Sequence, residues 1–489
     1  MKKFISVSLL MVMIAMQTAC ADSTVQNPKE NDSQTQAVSE INSDTSAETE
    51  FVYQYPELDC GGEDFTVLNA STTWGFYHYM DFETPTGEIL DDAVFERNRK
   101  IEEKFNLTLK VVEEDIDKNY DKYRASILAQ DDVYDVAYIR CDRLAPFMAE
   151  GYLYNLLDYP EFQLDQPWWD QVIMEKSLVG NQKKLYFAGN DFSLIGFEGT
   201  LCCYFNEQML ANLDLETPYT LVRNGTWTID RLGEYAAAGA NLNGDSSFAW
   251  NENGNAIYGL ASYEDSLNAF ITGGGENYVT IDDNGQPHLL QNLERFYNIV
   301  DKAYQIYSKE GDFIFMNGSG NSHYEMIFRN GRALFAIAEI KASSKYRDME
   351  DTFGIVPMPK YDEAQESYYS HRTHVCLTMS VPVTNPDPAR TGMIMDAFAY
   401  LSNTDILPVF YNVKVAQKGL RNEDSIEMLG IISQTRSFDI GEGYAWTEDL
   451  SAKMNTAVVN QKNNNIVSIV DSFRPSIEAS FKKTLEFME

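Results

Sequence analysis

The sequence predicts an α/β fold, built on parallel sheet and large enough for two lobes. Short β-branched and aromatic runs alternate with segments whose apolar residues recur at helical spacing, which is the pattern of β-α-β units. The chain has 489 residues, more than one typical domain. At 44% hydrophobic and 13% aromatic it can fill a sizeable core.

The elements follow in order. Residues 65–68 read as a short buried strand. Leu90, Val94, Ile101 and Phe105 share one helix face. Residues 107–112 alternate as a strand, 120–130 are helical, and 133–139 form the next strand. Leu289, Leu293, Phe296, Val300, Tyr304 and Tyr307 make a second helix stripe. Residues 333–340 and 353–356 read as strands, after which Pro357 and Pro359 stop the chain. A last helix carries Ile477, Phe481, Leu485 and Met488, starting just after Pro475.

Ahead of these elements lies an export signal. Lys2 and Lys3 precede an apolar run from Phe4 to Met16, too short to span a bilayer comfortably, and Thr18-Ala19-Cys20 closes it. The end of this 1–20 segment resembles a bacterial lipobox, in which a lipid is attached to the cysteine, here Cys20. Gln17 stands where an aliphatic residue is usual. The other reading is ordinary cleavage after Ala21, with small residues at Ala19 and Ala21. Residues 21–50 are polar and acidic with few large apolar side chains. They cannot offset the entropy of ordering and are expected to act as a disordered tether.

A net charge of −36 disfavours nucleic acid and anionic lipid as partners. It suits solubility outside the cell, and it is also what a receptor for a cationic ligand would carry. Without Cys20 five cysteines are left, an odd number in no zinc-type spacing, and Cys202-Cys203 read as buried small residues.

Six segments in order resemble the extracellular solute-binding proteins of ATP-driven importers, most closely the sugar-binding, maltose-binding-protein-like branch. They are GEILDDAVFERNRKIEEKFN (87–106), YDVAYI (134–139), EGYLYNL (150–156), QKKLYF (182–187), FRNGRALF (328–335) and GIVPMPK (354–360). The resemblance runs through most of 51–489. It implies a two-lobed periplasmic-binding-protein-like type II fold with the ligand in a cleft between lobes. Lobe one would comprise 51–190 plus 376–420, and lobe two 191–375 plus 421–489. It further implies capture of a small solute, an oligosaccharide first, at the extracytoplasmic face of a bacterial membrane. The chain would act as a lipid-anchored monomer delivering to a separate permease and ATPase. Peptides or another solute are alternatives, as is a secreted glycoside hydrolase.

No G-x-S-x-G, H-E-x-x-H, P-loop or G-x-G-x-x-G is present. With 74 acidic residues, a glycosidase carboxylate pair is not informative on its own. His371 and His374 have no evident third metal ligand.

A sugar site needs flat aromatic faces for the C–H faces of pyranoses and polar groups for the hydroxyls. Trp74 and Trp446, in loops beside polar residues, are the expected rings. Arg140 and Asp142 end a strand at the edge where ligands bind in open α/β sheets, and Glu339 ends another. Trp227, before the helix-capping candidates Thr228 and Asp230, is expected in the core. No cofactor is required. Asn241, Asn243, Asp245 and Glu252 fall at positions one, three, five and twelve of an EF-hand-like loop. Ser246 stands where glycine is usual and only two carboxylates are present, so the choice is between a weak structural calcium and a polar Asn/Gly turn.

Overall fold

The computed structural model describes residues 53–373, 376–412 and 423–488. The signal segment, Cys20, the tether and His374 lie outside them. Pro56–Glu489 form one compact unit.

In chain order the strands are β1 (Glu63–Ser71), β2 (Leu107–Asp115), β3 (Val136–Arg140), β4 (Leu201–Asn206), β5 (Tyr258–Ser262), β6 (Val279–Ile281), β7 (Pro287–Leu289), β8 (Phe313–Phe315), β9 (Ala333–Glu339), β10 (Phe353–Val356), β11 (Ser370–His371), β12 (Leu377–Ser380) and β13 (Arg436–Ser437). They build two main sheets, in the orders β12-β3-β1-β2 and β10-β4-β9-β5-β8. The fold is two-lobed α/β.

Both sheets are mixed, where the sequence pattern predicted parallel ones. In the first, β1 runs parallel to β2 and β3, and β12 is antiparallel to β3. In the second, β5 is parallel to β8 and β9, while β4 is antiparallel to β9 and β10. The antiparallel strands β4 and β12 are the ones next to the crossings between sheets. They enter their sheets from the other one instead of returning through a helix. Ala188 pairs with Met379 and Thr200 with Arg372 where the chain crosses.

The first sheet is covered by the helix Ile89–Phe105, whose residues Leu90, Val94, Ile101 and Phe105 are buried as their spacing predicts. Arg97 on this helix is buried, and among the described residues no carboxylate forms an ion pair with it. Its guanidinium donates to Ser402 Oγ, Met80 O and Asn98 Oδ1 and lies 4.4 Å from the Phe192 ring centroid. Burial pulls it down to about 10. These bonds hold the end of the loop that follows β1. In the second sheet every residue of β4, β5 and β9 is buried. The helix Ile229–Gly239 crosses β5 at Gly259, where a Cβ would sit 2.1 Å from the Ala236 carbonyl oxygen, so only glycine fits. Thr228 caps this helix through Oγ1.

Two helix boundaries differ from expectation. Leu289 belongs to the β6–β7 hairpin rather than to the helix Leu293–Tyr307. The last helix runs Ile466–Met488 with Pro475 inside it. Proline removes one backbone bond there, but Ile466 and Val470 before it and Ile477 and Phe481 after it are buried on the same element, which carries the helix through.

Candidate functional site

The parallel strands of both sheets point their carboxyl ends at a common region. Past the end of β1 comes Trp74, and past β3 come Cys141 and Asp142. Past β5 come Tyr263, Glu264 and Asp265. Asn317 follows β8, and Lys341 follows Glu339, the last residue of β9. Open α/β sheets place ligands at this edge, because the chain turns there and leaves side chains and backbone groups unpaired.

A cavity of about 540 Å³ lies there, lined from the first sheet by Trp74 and Phe76 and from the second by Tyr263, Tyr324, Glu339 and Lys341, among others. Trp74 is 39% exposed, while the loop around it is fixed: Asn69 Nδ2 donates to His78 O at 2.7 Å, Tyr77 Oη to Asp91 Oδ1 at 2.8 Å, and the Tyr77 amide to Glu198. Tyr263 and Tyr324 are stacked, 4.9 Å between centroids and 15° between planes. Their hydroxyls donate to the two oxygens of Glu339, at 3.0 and 3.1 Å. Glu339 is thus a buried acceptor held between two phenols, which leaves its remaining lone pairs for ligand donors. Burial alone would raise the neighbouring Glu325 carboxyl, but His323 and Lys345 together hold it below its ordinary value.

A second cavity of about 250 Å³ adjoins the first, and Glu264 and Asp265 line both. Arg140 and Asp142 lie here, both buried. Arg140 is bidentate on Asp142 through Nε (3.0 Å) and Nη2 (2.6 Å), and its Nη1 donates to Asp117 at 2.7 Å.

Of the expected site residues, Trp74 and Glu339 therefore share the first cavity, and Arg140 and Asp142 share the second. Trp446 lines neither and is corrected to a core position. It is 6% exposed, stacks on Tyr444 at 4.7 Å, meets Phe481 edge-on at 4.8 Å and donates from Nε1 to Thr484 at 2.9 Å. The polar residues beside it in sequence hide a packing partner contributed by the last helix. Trp227 is fully buried, its Nε1 donating to Pro357 O at 3.0 Å. Trp168 and Trp169 are buried as well, both donating to Asp396. Cys202 and Cys203 sit in the core of β4 as free thiols.

In the EF-hand-like loop, Asp245 Oδ2 accepts from the Asn255 and Ala256 amides at 2.7 and 2.8 Å. Asn241 Oδ1 accepts from the Asn243 amide at 2.8 Å, Asn243 Nδ2 donates to Asn255 O at 3.0 Å, and Glu252 accepts from Asn321 at 2.8 Å. Protein donors thus already engage both carboxylates.

Sequence reasoning missed Tyr263, Tyr324 and Lys341. The available signal was position: Tyr263-Glu-Asp265 directly follows the short strand Tyr258–Ser262, as Arg140-Cys-Asp142 follows the apolar run 136–139.

No family model and no curated protein matches this sequence. Solved structures do match the fold. An ABC substrate-binding protein from Listeria monocytogenes in complex with cycloalternan is 12% identical with a TM-score of 0.53, over 87% of this chain and 99% of its own. A sugar transporter from Rhizobium etli, in an open conformation, is 12% identical with a TM-score of 0.58, over 85% and 99%. The GacH receptor of Streptomyces glaucescens, solved unliganded and with acarbose, is 14% identical with a TM-score of 0.52, over 85% and 99%. The chain shares the fold of these proteins.

Proposed function

We propose that this protein captures an oligosaccharide in the cleft between its two sheets and delivers it to an ABC permease. The observation that carries this reading is the first cavity. It combines an exposed indole, a stacked tyrosine pair and a buried carboxylate at the carboxyl ends of strands from both sheets. An indole face covers the apolar side of a pyranose, and Glu339 with its phenols meets the hydroxyl rim. The fold likeness to structures described as binding cycloalternan or acarbose supports the same ligand class.

The reading extends to binding without turnover, with lobes of 51–190 plus 376–420 and 191–375 plus 421–489. It includes an anchor at Cys20 on the extracytoplasmic face, function as a monomer, and a separate permease and ATPase. Among the described residues no helix is long and apolar enough to cross a membrane. A structural calcium at residues 241–252 is a further, independent proposal. A thermal-shift screen over oligosaccharides tests the ligand class, since a ligand bound only by the folded state raises the melting temperature. A rise with oligosaccharides of two or more units is expected. A response only to peptides or amino acids would redirect the reading to another solute.

A further inference from the structure

We infer that His78 is a positioning residue for the aromatic wall of the first cavity. It holds the segment Trp74–Phe76 in place only as an imidazolium, so that saccharide affinity falls as pH rises. The affinity part rests on the oligosaccharide reading of that cavity.

Between β1 and the helix Ile89–Phe105 the chain forms neither helix nor strand, so side chains must hold its backbone. Trp74 and Phe76 of this segment line the first cavity. Glu198, from the short helix Ile195–Glu198, accepts the Tyr77 amide, and Asn69 Nδ2 donates to His78 O. Among the described residues no backbone amide donates to the Phe76 carbonyl. The His78 ring fills that place: Nδ1 faces Phe76 O at 3.3 Å, and Nε2 faces Glu113 Oε2, on β2, at 3.6 Å. The imidazole thus bridges Phe76 to a strand of the first sheet.

Both oxygens facing the ring are acceptors. A neutral imidazole carries one N–H and would turn a lone pair towards one of them; an imidazolium supplies a donor to each. Tyr79 lies against the ring at 4.3 Å between centroids, and Glu198 is the second carboxylate near it. Glu113, helped by the Phe76 carbonyl, holds the imidazole above its ordinary value and outweighs its partial burial. Because the folded value is raised, the bridge is fully present below the ordinary imidazole value and is lost as pH rises through the raised one. Its loss frees the Phe76 carbonyl. Lys341 lies over the Phe76 ring at 3.7 Å and also donates to Trp74 O, so the loosening reaches the indole. His323 lines the same cavity and Asp191 titrates elsewhere in the fold, so variants of His78 itself are needed to assign a pH profile.

The test uses the full chain labelled with 5-fluorotryptophan. The Trp74 fluorine resonance, assigned with Trp74→Phe, should move between about pH 5.5 and about pH 9 with a midpoint above the ordinary imidazole value of about 6.5. It should stand still in His78→Asn, which keeps one N–H donor but cannot titrate. The midpoint should fall in Glu113→Gln, which keeps an acceptor and removes the charge. His78→Gln serves if His78→Asn lowers the melting temperature. Calorimetry then follows with maltotetraose, raffinose and cellotetraose. A saccharide that binds should do so at least about fivefold tighter at about pH 6 than at about pH 9, and this ratio should drop to about one in His78→Asn. A Trp74 resonance that ignores pH, or moves equally in His78→Asn, would overturn the inference, as would an unshifted midpoint in Glu113→Gln. A saccharide bound equally at both pH values would overturn it and leave the oligosaccharide reading standing. The expected fluorine titration with no binding of any of the three saccharides would keep His78 as the residue that holds Trp74 and count against the oligosaccharide reading.

Discussion

Lys341 Nζ donates to the Trp74 carbonyl oxygen at 3.1 Å, and the same ammonium lies 3.7 Å from the Phe76 ring centroid. Lys341 follows the central strand of one sheet, and Trp74 follows a central strand of the other. The bond therefore ties the loop bearing the exposed indole to the opposite side of the cleft. Lys341→Met should weaken saccharide binding by about three- to tenfold through a faster off-rate, with an unchanged melting temperature. Stopped-flow fluorescence on the Trp74 signal measures it; an unaltered off-rate would separate this contact from binding.

The two tryptophans divide affinity from stability. Trp74→Ala should cost about 1–3 kcal/mol of binding and little stability, because the ring is already partly solvated. Trp227→Ala, deep beside Phe335, should cost about 3–5 kcal/mol of stability. Urea melts and calorimetry on both variants make the comparison; a Trp74→Ala protein that unfolds while its folded fraction binds normally would make Trp74 a core residue.

Two buried carboxyls give opposite pH signatures. Asp170 meets Arg372 at 2.6 Å and Arg436 at 3.8 Å. Burial would raise it, but these arginines outweigh that and hold it at about 2. Its contribution is present above the unfolded value and is lost as pH falls from about 4 towards 2. Asp170→Asn should cost about 3–5 kcal/mol near neutrality by leaving two buried guanidiniums uncompensated. Asp191 is pushed up to about 7 by burial, which outweighs the hydrogen bond that Asn403 Nδ2 donates to it at 2.7 Å. The folded state holds that proton where the unfolded state has released it, so stability falls as pH rises through about 7. Asp191→Asn, which keeps an acceptor for Asn403, should therefore stabilise the protein at pH 8 by on the order of 1–3 kcal/mol and do little at pH 4. Melting curves across pH test both signs.

What was legible in the sequence was local. The stripe Leu90, Val94, Ile101 and Phe105 buries as one helix face, and β1, β2, β9 and β10 lie where alternation and apolar runs place them. Trp74 could be nominated from its position just past a strand and Glu339 from its position at the end of one. What was not legible depended on partners distant in sequence. Trp446 has polar neighbours in the chain, yet Phe481 and Thr484 enclose it from a helix that begins at Ile466. Tyr263 and Tyr324 become a stacked pair only because β5 and β9 are adjacent in the second sheet. Pro475 signals a helix start in isolation, and only burial on both sides of it carries the helix through.

The calcium proposal has its own check. Calcium should raise the melting temperature of the wild type by about 1–3 °C and leave Glu252→Ala unmoved. Glu252 is the better variant because Asp245 also closes the turn through the Asn255 and Ala256 amides. An equal response in both proteins would leave the segment as a polar turn.

The central claim, that the cleft holds an oligosaccharide and releases it intact, is tested most directly by titrating the mature protein with oligosaccharides in a calorimeter and chromatographing the recovered sugar. Saturable one-to-one binding at micromolar affinity or tighter is expected, weakened at least about fivefold in Trp74→Ala, with the sugar unchanged after prolonged incubation. Shortened products, or affinity indifferent to Trp74, would contradict it.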